Sequence, residues 1–213
     1  IVSVNPGEKK AAHLGLPHPG ILIACNLASR RVHLAPQDVE PTGNSHWHQV
    51  DNHDQQHAEH RVGRQVERQA EVLASLGYDG IGYTGVTDLA ERQRAFRARG
   101  LRIFNLYVAC YVDRFDPYDS GLLAALPALA GTDTQLWLTV QGKTMDEQRA
   151  VAIVRDLADA AARHGVKIAL YPHKGFYVAT TEEALRLVGR IDRPNVGVTF
   201  NLCHELAAGH AAR

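Results

Sequence analysis

Short apolar runs begin near residues 78, 101, 135, 166 and 195, and a helix-like segment lies between each pair. That spacing, 23 to 34 residues from one start to the next, suits a strand followed by a crossover helix and a parallel strand. Hairpins need far shorter connections. The chain therefore reads as α/β with a parallel sheet. No Gly-x-Gly-x-x-Gly follows a strand, so a dinucleotide-binding, doubly wound sheet lacks support and a barrel-type arrangement is expected. In either architecture functional groups collect at the carboxyl ends of the strands.

The strand runs are Tyr78–Gly85, Leu101–Val112, Gln135–Val140, Val166–Tyr171 and Val196–Phe200. A helix over Arg64–Leu76 brings Val66, Ala70, Leu73 and Leu76 near one face, and Gly77 stops it. Asp88 with Glu91 three residues later predicts the start of a second helix, closed by Gly100. Pro127 breaks the middle of a helix over Leu122–Ala130. Thr144 with Glu147, and Thr180 with Glu183, predict capping boxes for two further helices. The first of these carries the stripe Ala150, Val151, Val154, Leu157 and Ala161, and the second runs through Leu185, Leu187 and Val188.

Composition shifts near residue 60. Residues 1–60 hold eight of the twelve histidines and five of the nine prolines, but one aromatic residue, Trp47. Their single strand-like run is Ile21–Leu27, so 1–60 is expected to be an irregular, His-rich segment ahead of a regular unit over 61–213. Within it, His46, His48, His53, His57 and His60 draw the eye. His53 and His57 have the i,i+4 spacing of a helical metal pair. Their neighbours are Gln, Asn and Asp with little apolar stripe, which points to a polar linker instead.

Basic and acidic residues balance at 23 each, so no basic stripe supports nucleic-acid binding. No apolar run is long enough for a membrane span. Three scattered cysteines, Cys25, Cys110 and Cys203, argue against a disulfide framework and for a reducing, cytoplasmic setting. Cys203 is expected to be a small core residue.

Two strand ends carry the chemistry. Val166–Tyr171 leads into Pro172-His173, and Val196–Phe200 leads into Asn201-Leu202-Cys203-His204. Neighbouring parallel strands lie about 4.8 Å apart, so His173 and His204 can share one ion, with Asn201 assisting. His173 can equally be a hydrogen-bonded loop residue, and Asn201 with His204 a capping or solvent-facing pair. Gln141, at the end of the middle strand, can bind a hydroxylated substrate, with Tyr171 beside it; Tyr107 and Asn105 can line the same rim. Lys174 can hold an anionic group such as phosphate. No Gly-x-Ser-x-Gly elbow, P-loop or paired-cysteine zinc motif is present.

The segments Leu76–Tyr83, Ile168–His173 and Asn195–His204, in that order and spacing, resemble the xylose-isomerase-like TIM-barrel superfamily, nearest the sugar phosphate isomerase/epimerase group. The resemblance covers about residues 64–204. It implies an eight-stranded barrel with a divalent ion (Mn, Zn, Mg or Co) at its carboxyl rim. It also implies a sugar or sugar-phosphate substrate and proton transfer next to a metal-polarised carbonyl. Homo-oligomerisation is compatible with it. The sequence departs from the family pattern. Tyr171 stands where members often place a metal-binding Glu, and Asn201-x-x-His204 where many have Asp-x-x-His. The chain ends nine residues after His204, so the last two strands of a barrel are not in it. The expectation is therefore an incomplete (β/α) barrel of five or six strands, read as a fragment or truncated product whose residues 1–60 are not the family's usual start. No rim carboxylate stands out as a catalytic base. A metal-dependent lyase or hydrolase on the same scaffold, or a non-catalytic sugar-binding barrel fragment, remain alternatives.

Overall fold

A computed structural model describes residues 52–143 and 146–209. The strand-like run Ile21–Leu27, the histidines before residue 51, Cys25 and Thr144 lie outside the described residues.

Alternating side-chain direction organises the sheet. Five strands, β1 (Gly80–Thr84), β2 (Arg102–Tyr111), β3 (Gln135–Gln141), β4 (Ile168–Leu170) and β5 (Val196–Val198), pair in parallel in the order β1-β2-β3-β4-β5. On one face, Leu106, Val108 and Cys110 join Leu136, Leu138, Val140, Ile168 and Leu170 in the main core. Residues of opposite parity, Tyr107, Trp137, Ala169 and Tyr171, form a separate cluster on the other face. A strand order that never reverses is that of a barrel segment, not of a doubly wound sheet. The architecture is an α/β parallel sheet consistent with an incomplete TIM barrel.

The helices are α1 (Asn52–Ser75), α2 (Leu89–Arg97), α3 (Ser120–Ala125), α4 (Glu147–Ala162), α5 (Thr181–Ile191) and α6 (Leu202–Ala207). Helix α4 buries Ala150, Val151, Val154, Leu157 and Ala161, the stripe legible in the sequence. Its neighbour α5 buries Ala184, Leu187 and Ile191. After α3, Pro127 sits in the first turn of a 3-10 segment, Leu126–Leu129, where its missing N–H costs nothing.

Helix α1 starts at Asn52, not Arg64. Apolar periodicity marks only the stretch in which Val66 and Ala70 are buried; Gln, Ala, Glu and Arg extend a helix by their intrinsic preference. His53, His57 and His60 fall on this N-terminal extension rather than on an irregular linker. Asp88 forms no cap: its backbone is left-handed (φ 53°) and its side chain makes no capping bond. A capping side chain needs an extended backbone at that residue. At α4 the capping role belongs to Asp146, whose carboxylate accepts from Arg149 N at 2.9 Å, while Glu147 is already helical.

The second predicted box is formed in full. Thr180 Oγ1 accepts from Glu183 N at 3.2 Å, and Glu183 Oε2 accepts from Thr180 N at 3.2 Å. Thr180→Ala removes half of this exchange and is expected to cost about 1 kcal/mol, read as a lower urea midpoint with an unchanged slope.

No helix among the described residues is long and apolar enough to cross a membrane.

Candidate functional site

The carboxyl ends of β4 and β5 meet above the Tyr107–Trp137–Tyr171 cluster. Leu170 pairs with Val198, and Thr199 N donates to Leu170 O at 2.9 Å, so the two chains leave the sheet side by side. After Pro172, His173 N donates to Val178 O at 3.1 Å and Phe176 N to His173 O at 3.0 Å. These bonds fold residues 173–178 into a tight loop. The loop returns to β3, where Val178 N donates to Val140 O at 3.2 Å.

On the β5 side the chain turns at once into α6. Asn201 is its N-cap, with Oδ1 accepting from His204 N at 3.4 Å. The Asn-x-x-His spacing is thus a helix start, and it aims His204 back toward β4. Cys203 is exposed on this helix, not a core residue, because the strand stops at Val198. Cys110, by contrast, is buried on β2, and burial pushes its thiol up to about 12.

The structure brings four of the six predicted residues into one cluster. The imidazoles of His173 and His204 stack with centroids 3.7 Å apart and a 36° tilt. Asn201 Nδ2 donates to Tyr171 Oη at 2.6 Å. The Tyr171 ring stacks on Trp137 at 5.3 Å and meets Tyr107 edge-on at 4.7 Å. His204 approaches the edge of Tyr171, 6.4 Å between centroids.

Gln141 lies one strand over, its Nε2 donating to Thr139 Oγ1 at 3.1 Å. With Thr84, Tyr107, Tyr111, Asp119 and Thr139 it lines a cleft of about 330 Å³ at the ends of β1 to β3. Lys174 is exposed and enters the site through its backbone: its carbonyl lies 2.9 Å from His173 Nδ1. A carbonyl only accepts, so Nδ1 donates the hydrogen of this contact. Asn105 does not line the rim. It pairs with Gln135 at the amino end of β3 and is buried there, against Gly82, where a Cβ would lie 2.8 Å from its Oδ1.

Burial sets the charge states. His204 is pushed below the ordinary imidazole value by burial first and by His173 second, so it is neutral at neutral pH. Tyr107 is pushed well above the ordinary phenol value by burial and by Tyr171, and stays protonated.

Two residues of the cluster carry no mark in a motif search, Trp137 and Phe176. Trp137 shares strand parity with Thr139 and Gln141, so placing Gln141 on the inner face already places Trp137 there. Phe176 stacks on His173 at 4.1 Å, a contact only the folded loop creates.

The arrangement does not fit a shared metal ion. Two imidazole nitrogens each 2.0–2.1 Å from one ion put the ring centres roughly 4.5–5 Å apart, with the rings splayed. The observed centroids, 3.7 Å apart, are closer. Both polar atoms of Asn201 are committed, one to the helix cap and one to Tyr171. Among the described residues, no group of three or more His, Cys, Asp and Glu side chains is placed to hold an ion.

Comparison with known proteins agrees with the strand order. A 3-keto-D-glucoside 4-epimerase from E. coli superposes with a TM-score of 0.57 at 18% identity, over 66% of this chain and 65% of its own. A probable 3-DHS dehydratase from Bacillus anthracis gives 0.54 at 19% identity, over 67% of this chain and 59% of its own. D-allulose 3-epimerase from Methylomonas sp., in complex with D-allulose, gives 0.54 at 21% identity, over 68% and 59%. The chain thus spans about two thirds or less of the length of these relatives. Curated proteins yield no match. The family model for the xylose isomerase-like TIM barrel matches residues 70–212, from within α1 to beyond α6. With five parallel strands in sequential order beneath it, this chain belongs to the xylose isomerase-like TIM barrel family.

Proposed function

We propose that this chain is a sugar isomerase or epimerase whose substrate, a sugar or sugar phosphate, is held at the carboxyl rim of β3 to β5. The observation that carries the reading is the meeting of His173 and His204 beside the aromatic wall of Tyr107, Trp137 and Tyr171. An aromatic wall suits the apolar C–H face of a pyranose, while Gln141 and the imidazoles suit its hydroxyls. Family membership and the epimerases among its structural neighbours point the same way.

The chemistry proposed is proton transfer between adjacent carbons. A base removes the hydrogen on the carbon next to the carbonyl, and the resulting enediolate is reprotonated on the neighbouring carbon or the opposite face. Neutral His204 has a lone pair for the first step, and Nε2 of His173 can exchange the hydroxyl proton. Free Cys110 and Cys203 suit a cytoplasmic setting. A second reading, favoured by the same meeting of imidazoles, is metal-dependent chemistry with His173, His204 and Asn201 as ligands. It requires the stack to open and Asn201 to leave Tyr171.

The test is solvent-deuterium exchange into a panel of keto-hexoses that includes D-allulose, followed by NMR. Deuterium is expected at the carbon beside the carbonyl. His204→Ala should slow its entry by roughly 10²–10⁴-fold, the usual worth of a general base. Exchange that proceeds equally well without both histidines would remove the proposed roles.

A further inference from the structure

We propose that the rim between β4 and β5 is held together by its own side chains in place of a metal ion. Tyr171–Asn201 and His173–His204 are the two cross-links. The inference rests on reading this rim as the binding site, but it concerns how the site is built, not whether it turns over substrate.

Four observations converge. The imidazole centroids, 3.7 Å apart with the rings tilted by 36°, are too close for two ligands of one ion. His173 Nδ1 contacts the Lys174 carbonyl at 2.9 Å, which fixes the ring where it meets His204. Asn201, 4% exposed, spends its carbonyl on the start of α6 and its amide on the Tyr171 hydroxyl. Tyr171, 8% exposed, offers a phenol hydroxyl on a ring wedged between Trp137 and Tyr107. A cation there would lose its water shell and gain no carboxylate from these four residues, a cost that uncharged donors do not repay.

The same contacts do what an ion does mechanically. The phenol–amide bond ties the last residue leaving β4 to the cap of α6. The imidazole stack ties the loop after β4 to the third residue of that helix. Phe176, stacked on His173 at 4.1 Å, extends the stack into the loop.

The experiment uses the full chain, stripped with EDTA and titrated with MnCl2 or ZnCl2 alone. The histidines of residues 1–60 can take up metal by themselves, so total uptake decides nothing; the comparison with a His173→Ala/His204→Ala variant does. The expected result is the same number of bound equivalents in both proteins. In the parent, the ring signals of His173 and His204, labelled with 15N, should stay sharp through one equivalent of Mn2+. Tyr171→Phe should lower Tm by several degrees, and by the same amount with EDTA or with added metal. One equivalent lost in the double variant, or both ring signals broadened away at one equivalent, would overturn the inference. Should the double variant fail to fold, the NMR titration of the parent decides alone. Failure of deuterium exchange with these signals sharp would sink the isomerase reading and leave this one standing.

Discussion

Trp137→Ala is expected to destabilise the protein by roughly 3–5 kcal/mol and to abolish sugar binding at the rim. Trp137 is 6% exposed on the inner face of β3, opposite Ala169 of β4. The small Ala169 leaves room for the indole, which then supports Tyr171 at 5.3 Å. Truncation removes that support, and Tyr171 relaxes toward the space left behind. Its hydroxyl then leaves Asn201, whose amide is buried and loses its partner, adding a desolvation penalty to the cavity cost. Trp137→Phe keeps an aromatic support and should retain most stability and measurable binding. Equilibrium urea denaturation gives the first quantity and calorimetric titration with a keto-hexose the second. A loss below 1 kcal/mol would mean that the inner-face cluster is not packed as described.

Gly80→Ala is the other change with a large expected effect. A Cβ on Gly80 would sit 2.0 Å from the carbonyl oxygen of Arg102 and 2.8 Å from its carbon, both backbone atoms. Nothing flexible stands in the way, so the strands must separate at the first pair of their register, Gly80 with Arg102. The bond from Arg102 N to Asp79 O, 2.9 Å, goes with it. Val66, Ala70, Ala95, Phe96 and Leu101 form a core of their own beneath β1, apart from the main one. The damage should therefore be local at first. Hydrogen exchange by mass spectrometry is expected to show α1, β1 and α2 unprotected, while β3, β4 and α4 stay protected. Uniform loss of protection, or none, would contradict this division.

The strands and the helix stripes were readable because burial leaves a pattern in the sequence: a short apolar run for β3, a period of about 3.6 for α4. Features that depend on backbone conformation were not. Asp88 has the right residue type for a cap but a left-handed backbone, and no pattern of side chains reports φ. The polar half of α1 shows no apolar period in its sequence. At the site, the strand ends correctly put His173 and His204 on one rim. Whether they chelate or stack depends on the loop bonds around Val178 and on both commitments of Asn201, which are tertiary facts. Phe176 is invisible for the same reason.

The sequential strand order has a consequence for how the chain assembles. Register partners lie 22 to 32 residues apart all along the sheet, so each added strand closes a loop of nearly equal length. No pairing among the described strands has to wait for a strand beyond its neighbour in sequence, so the sheet can grow in order from β1 toward β5. During synthesis from the N-terminus, Tyr107 and Trp137 emerge before Tyr171, and Asn201 and His204 after it. The aromatic floor thus serves as a template, and the cross-links of the rim form only when everything under them has already folded.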